Sequence, residues 1–554
     1  MRTAITCGLL AAALAYTGIA GAQQPKVINL DDPGEQQPAD EPAVAAGQMT
    51  EEAAQAKRLF DAERWSEAAL LLKRVVDGDT KDDEGNKQIA QYHLAISLYR
   101  LQFFQASYAL FQQISAKKNH LKYGDTLIWL TKLATQLPEP ADIIKHVGNY
   151  SEEQIERFNN NEQRTYYWQL NYMYGVFKYR RRDYENAIAL FEKVGQSSPW
   201  FVKAQFYMGI SYVQLKQSVP AVRSFTRIVD AIKEGTEGVD EPERMRDLAN
   251  LSMARTYYSA SIQLGESGVP RIDEKKLSAA VKYWNLVETA SEYWLDALFE
   301  ESWAYFMAGD YPHALGNIHT IQSPYFPNSF YPEAEILKAV VAFTLCRYDD
   351  AMTYVARFQL KYEPIKKELE AILNRFKGEG GEEKFFEFLT QVQGGEANLS
   401  DEIRPIVEAA LSDRELLRNI EYVKVLEAEK KRGEQAPPSF RESPVGAEVD
   451  DNVNIARTDA VRRAGDLARK RYERNLEELR EQLRNGQKIL IDITNAQRNK
   501  LDQEIQSGQF SAEEALEFGQ ITPDEEHVIW PFDGEYWRDE LGFYRQVVTA
   551  LCGQ

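Results

Sequence analysis

The chain is 554 residues long, 44% hydrophobic, and carries a formal net charge of −20. That apolar share is ample for an ordered core, and the acidic balance argues against sequence-independent nucleic-acid binding, which relies on basic patches. With three cysteines in all, the fold does not rest on a disulfide framework.

Residues 1–22 read as a secretory signal peptide. Arg2 supplies the positive end, Gly8 to Ile19 a short apolar core, and Ala20-Gly21-Ala22 the small residues before a cut at Gln23. The core is too short for a good membrane span, and no later stretch reaches about 18 apolar residues, so no transmembrane span is expected in the mature chain. An uncleaved N-terminal anchor is the alternative. Cleavage leaves Cys346 and Cys552, which are far apart in sequence. They could pair, but a buried thiol and a tail thiol are expected. Residues 23–50 are rich in Pro, Asp, Glu and Gln and read as a disordered leader.

Helical hairpins are expected over 51–360. In the first, Ala56, Phe60, Ala69, Leu72 and Val75 keep helical spacing around a turn at Glu63-Arg64-Trp65. In the second, Tyr92, Ala95 and Leu98 lead into Phe104, Phe111 and Ile114. Residues 121–160 form a degenerate unit broken at Pro138 and Pro140. A plain repeat follows: Gly175, Ala187 and Phe191 recur as Gly209, Ala221 and Phe225, displaced by 34 residues. A small residue, then an Ala and a large apolar residue, describes two short helices packed antiparallel. The small residue sits where the backbones approach, and the Phe fills the gap.

This pattern resembles the tetratricopeptide repeat (TPR), whose period is 34 residues. The stretch Arg182 to Val194, RDYENAIALFEKV, is the clearest helix of that style. Later units are looser: Ala254 and Tyr257 with Ala280 and Trp284 across a turn lengthened by Gly265 to Pro270, then Trp303 and Tyr305 with Tyr311, Ala314 and Ile318, then Ala339 and Ala342 with Tyr348, Ala351, Val355 and Phe358. The expected fold is therefore all-α, a TPR-like helical-hairpin solenoid with a smaller helical C-terminal region.

Stacked hairpins line an inner surface with their first helices. Carrying the family's groove positions over gives Gln169, Tyr172, Val176, Tyr179 and Arg180, then Lys203, Phe206, Ile210, Val213 and Gln214, then Phe299, Trp303 and Phe306. The resemblance implies that these bind a hydrophobic peptide or helix; the rival reading is that such rings pack against neighbouring helices. Tyr172 and Val176 stand where chaperone-binding members carry Lys and Asn, so a carboxylate clamp is not expected there.

Residues 361–432 continue as a helical extension, and 433–454, with Pro437, Pro438 and Pro444, read as a linker. The charged helix and aromatic segment occupy 455–554. Leu476, Leu479 and Leu483 form a seam too short for a coiled coil, so a helix docked on the array is favoured over a partner-binding one. From Trp530 to Tyr544, rings alternate with acids; Trp530, Tyr536 and Trp537 are the candidate anchors of a second surface. The reading slightly favoured over a free surface is that this segment folds back and caps the C-terminal domain.

No HExxH, CxxC, EF-hand loop or G-x-S-x-G elbow occurs, and no His pair has i, i+4 spacing. No catalytic, metal or cofactor residues are assigned, and an enzyme is not expected. The resemblance implies a periplasmic scaffold joining envelope proteins, compatible with a peripheral position at the outer membrane. A gliding-motility component fits export, array and extra helices best. A peptidoglycan-associated protein or an outer-membrane assembly or secretion cofactor is the alternative.

Overall fold

A computed structural model of the chain describes residues 45–264, 270–327, 329–411, 413–507, 516–518 and 528–552. The expected signal peptide and the leader residues 23–44 lie outside them. Two compact units emerge: the described residues up to Asp240 with Arg414–Ala464, and Glu241–Asp413 with the described residues from Gly465 onward.

The fold is all-α and TPR-like. In the first unit, Glu51–Asp61 (α1) and Trp65–Asp77 (α2) make one hairpin, and Glu84–Arg100 (α3) and Phe104–Ser115 (α4) the next. The degenerate unit reduces to Thr126–Leu133 (α5) and two short turns of helix, Ile143–Val147 (α6) and Glu152–Glu156 (α7). Arg164–Arg180 (α8) with Tyr184–Glu192 (α9), and Phe201–Gln214 (α10) with Ser218–Lys233 (α11), are the two strong repeats.

The second unit opens with Pro242–Ser261 (α12) and Glu274–Trp284 (α13), joined by the antiparallel strands Ile262–Leu264 (β1) and Pro270–Ile272 (β2). The lengthened turn expected at Gly265 to Pro270 falls between these strands, and its residues 265–269 lie outside the described ones. Trp294–Ala308 (α14) and Tyr311–Ile321 (α15) follow, then Pro332–Thr344 (α16) and Tyr348–Arg375 (α17).

The period has a structural cause in the two strong repeats. A Cβ on Gly175 or Gly209 would overlap the ring of Phe191 or Phe225, and both rings are fully buried. Glycine lets the first helix of each pair approach the ring of the second. The turns repeat as well. Glu63, Gln102, Arg182, Lys216, Gly309 and Cys346 all have positive φ, and each is followed by a residue whose N–H returns five positions back. These bonds are Arg64 to Leu59, Phe103 to Leu98, Asp183 to Lys178, Gln217 to Tyr212, Asp310 to Tyr305 and Arg347 to Ala342. This is the Schellman closure of a helix C-terminus, used here to reverse the chain inside six hairpins.

Three boundaries differ from the sequence reading. The end of the expected leader is held in place: the Thr50 hydroxyl donates to Asp82 at 2.6 Å, and the Gly47 N–H to Asp83 at 2.7 Å. Helix α17 continues past 360 through Pro364, beyond the expected end of the array. Gly381–Gln393 (α18), Arg404–Leu411 (α19) and Arg414–Gln435 (α20) then complete the extension.

The third difference is the linker. Residues 433–454 hold the end of α20, the short helix Pro438–Arg441 (α21), and the start of Pro444–Ser507 (α22). Prolines at the first helical turn cost no hydrogen bond, so Pro438 and Pro444 begin helices rather than prevent them. Phe440 is buried and stacks on Phe103 at 5.5 Å, which anchors the stretch to α4 of the same unit.

Helix α22 gives residues up to Ala464 to the first unit and the rest to the second. In the first, Glu448 pairs with Lys73 at 2.9 Å. In the second, the Tyr472 hydroxyl donates to the Val407 carbonyl at 2.8 Å, and Arg480 meets Glu370 at 2.9 Å. Leu476, Leu479 and Leu483 are buried, so the seam is occupied within the chain. The strands Leu516–Phe518 (β3) and Val548–Ala550 (β4) pair antiparallel. Cys346 and Cys552, expected as separate thiols, form a disulfide, because the last strand returns to the turn after α16.

Candidate protein-interaction surfaces

The expected groove of the first unit is largely filled by its own rings. Tyr172 stacks on Trp200 at 5.2 Å and meets Tyr207 edge-on at 6.1 Å. Tyr179 lies edge-on to Tyr207 at 5.3 Å, and half-buried Phe206 packs near Phe225 at 6.0 Å. Burial raises the Tyr179 phenol to about 12. Val176 and Ile210 are buried core residues. Arg180 is the exposed member, and it already faces Glu139 at 3.4 Å and Asp142 at 3.6 Å.

The second unit repeats that outcome. Phe299 and Trp303 are buried, and Phe306 packs edge-on to Trp303 at 5.7 Å. Val176, Ile210, Phe299 and Trp303 are therefore corrected from partner-binding to core. A ring at first-helix spacing serves a groove or a neighbouring helix equally well by pattern, and large buried rings dominate packing.

The C-terminal segment is different, because it lies across hairpins of its own unit. The Gly542 N–H donates to the Thr320 hydroxyl at 3.0 Å, Gln546 N–H to the Pro312 carbonyl at 3.0 Å, and Leu551 N–H to the Leu345 carbonyl at 2.8 Å. A side chain at Gly316 would collide with the Tyr544 carbonyl, so the bare backbone of α15 gives the segment its bed. Arg347 donates to the Thr549 hydroxyl at 2.8 Å, and the disulfide closes the end. Leu541, Val548 and Ala550 join the core.

His319 anchors the rings. Its imidazole stacks on Tyr536 at 4.5 Å and is met edge-on by Phe532 at 4.6 Å and Tyr544 at 5.0 Å. Burial, and then the Lys338 charge, lower its pKa to about 4, so the ring stacks as neutral imidazole. Tyr536 thus faces α15. Trp530 and Trp537 point outward, 56% and 40% exposed, and meet each other at 5.0 Å. Phe543, at 72%, and Val547, at 54%, are exposed as well, as are Asp533, Asp539 and Glu540.

The sequence matches no family model and no curated protein. Solved structures resemble it distantly. Aspartyl phosphate phosphatase F from Bacillus subtilis is 13% identical, with 75% of this chain and 96% of that one covered and a TM-score of 0.29. A Rap protein complexed with competence and sporulation factor is 13% identical over 74% of this chain and 98% of that one, TM-score 0.26. The P58(IPK) TPR domain is 13% identical over 80% and 98%, TM-score 0.18.

Sequence reasoning missed His319, Thr320 and Arg347 as the tail's seat. One signal was readable: Gly316 inside a helix, where glycine marks a close backbone approach. Among the described residues, no group of His, Cys, Asp and Glu is arranged to hold a metal ion, and no helix is long and apolar enough to cross a membrane.

Proposed function

We propose that the chain is an exported scaffold that joins proteins of a bacterial cell envelope. The observation that carries this reading is the clamped C-terminal segment. Its inner rings are held on α15, and Trp530, Trp537 and Phe543 are presented outward on a backbone already fixed in place. Aromatic side chains ordered before binding lose little entropy on contact and are typical interface anchors.

Export is supported by the pattern of residues 1–22 with a cut after Ala22, and by the Cys346–Cys552 bond, since disulfides persist in oxidising compartments. A periplasmic scaffold of a gliding-motility machine fits this organisation; a peptidoglycan-associated or outer-membrane assembly role is the competing assignment. Nucleic acid is not a partner of so acidic a chain.

The test is a crosslinked pull-down from intact cells, comparing the full chain with a Trp530→Ala, Trp537→Ala, Phe543→Ala variant. Envelope proteins captured by the first and lost with the second support the scaffold. Equal capture by both removes the tail from the account, and retention of the pure protein on isolated sacculi favours the wall-binding alternative.

A further inference from the structure

The first unit also carries a cleft of about 420 Å³, which none of the surfaces above uses. Its floor is the indole of Trp129, which donates to the Tyr92 hydroxyl at 2.9 Å and is stacked from behind on Phe111. Ile128 and Phe158 add apolar wall. The polar lining sets two cations, Lys132 and Arg157, beside Asp125, Gln154 and Gln163. Lys132 holds its ammonium 4.3 Å from the Trp129 ring centre. Arg157 stands exposed beyond α7.

Neither cation has a carboxylate partner among the described residues. Asp125, the one carboxylate in the lining, is taken by Lys122 at 2.9 Å. Gln154 spends its oxygen on the Ser151 N–H, at 2.9 Å, and Gln163 spends its own on the Asn160 amide, at 3.0 Å. The amide NH₂ of each has no hydrogen-bond partner among the described residues. Burial and the nearby Arg100 charge lower the Lys132 pKa, the direction expected of a cation left without an anion.

We infer that this cleft binds an acidic peptide segment. A carboxylate side chain meets Lys132 and Arg157, and an adjacent apolar side chain lies against Ile128 and Phe158. In a chain of net charge −20, two cations without a carboxylate partner beside an apolar wall attract an acidic segment. A bare inorganic anion leaves the apolar wall unused. The cleft belongs to the first unit and the clamped tail to the second, so the inference does not depend on the proposed function.

The experiment is panning of a phage-displayed random-peptide library on the full chain. A selected peptide is then synthesised with its acids intact or amidated, and its affinity is read by fluorescence anisotropy. Enrichment of Asp or Glu beside an apolar residue is expected, with binding that weakens in salt. Lys132→Met and Arg157→Gln should each weaken it by about tenfold, the loss that follows removal of a charge-assisted hydrogen bond, with unchanged circular dichroism. Trp530→Ala and Trp537→Ala should leave it unchanged. The inference is overturned if no acidic motif is enriched, if the amidated peptide binds equally, if both cation variants keep full affinity, or if soluble muropeptides bind more tightly than the peptide.

Discussion

Glu429 on α20 accepts the backbone N–H of Gln105, 324 residues earlier, at 2.9 Å, and that of Ala106 at 3.2 Å. Both N–H groups belong to the first turn of α4, where no carbonyl is available within the helix. A side chain from the C-terminal third thus caps a helix of the second hairpin. Replacing Glu429 with Ala removes the acceptor from two buried donors and should cost about 2–3 kcal/mol, read as a lower midpoint in thermal unfolding. Arg432→Ala, which loses an exposed bond to the Gln102 carbonyl and a charge near Glu429 but leaves no buried donor without an acceptor, should cost less.

Buried carboxylates set the alkaline side of the stability profile. Burial, with Glu478 and Glu481 nearby, raises Glu333 to about 8, and burial raises Glu429 to about 7 against the pull of its N–H donors. A raised folded value means that the native state holds the proton longer, so this stability is full below the unfolded value, about 4.5. It should be lost as pH climbs through 7 and 8. The thermal midpoint is predicted to fall across that window, and Glu333→Gln should flatten the fall.

His319 acts with the opposite sign. Its lowered value means that the folded state resists protonation, so the tail contacts should hold above pH 6.5 and weaken as pH drops toward 4. Hydrogen-exchange protection of residues 528–552, corrected for the intrinsic rate at each pH, should fall over that range. In His319→Phe, which keeps a flat ring, the acid response should disappear.

Within the strong repeats, the packing that makes the period visible also makes it fragile. Gly209→Ala should destabilise by about 1–3 kcal/mol through overlap with Phe225, and Phe225→Ala by about 3–5 kcal/mol through the cavity it leaves. Lys216→Gly should stabilise by up to about 1 kcal/mol, because it relieves a left-handed backbone position. Chemical denaturation of the three variants checks the order.

The Cys346–Cys552 bond spans 206 residues. Cys552→Ser should loosen the tail by about 2–4 kcal/mol, seen as faster proteolysis after Trp537. Alkylation and mass measurement of protein from intact cells should find no free thiol and a chain that begins at Gln23. Free thiols with residues 1–22 retained would contradict export.

Much of the fold was legible because close packing leaves a periodic trace. Gly175 with Phe191 and Gly209 with Phe225 fix the spacing, and the structure puts each ring against its glycine. The linker was misread because proline at a helix start and proline in a loop look alike until Phe440 is seen stacked on Phe103. The groove was misread for a related reason: Val176, Ile210, Phe299 and Trp303 have the right spacing, but only burial tells core from lining. The disulfide and the His319 cluster join residues more than two hundred positions apart, and no local pattern reports such a meeting. The turn shared by six hairpins was equally silent, since five of its six left-handed residues are not glycine.

The most direct test of the scaffold is site-specific photocrosslinking in intact cells, with a photoreactive residue at position 543 or 537 of the full chain and, as control, at exposed Leu360 on α17. The account predicts discrete adducts to envelope proteins from 543 and 537 and none of the same adducts from 360. Adducts that are identical at all three positions, or none from 543 and 537, would contradict it.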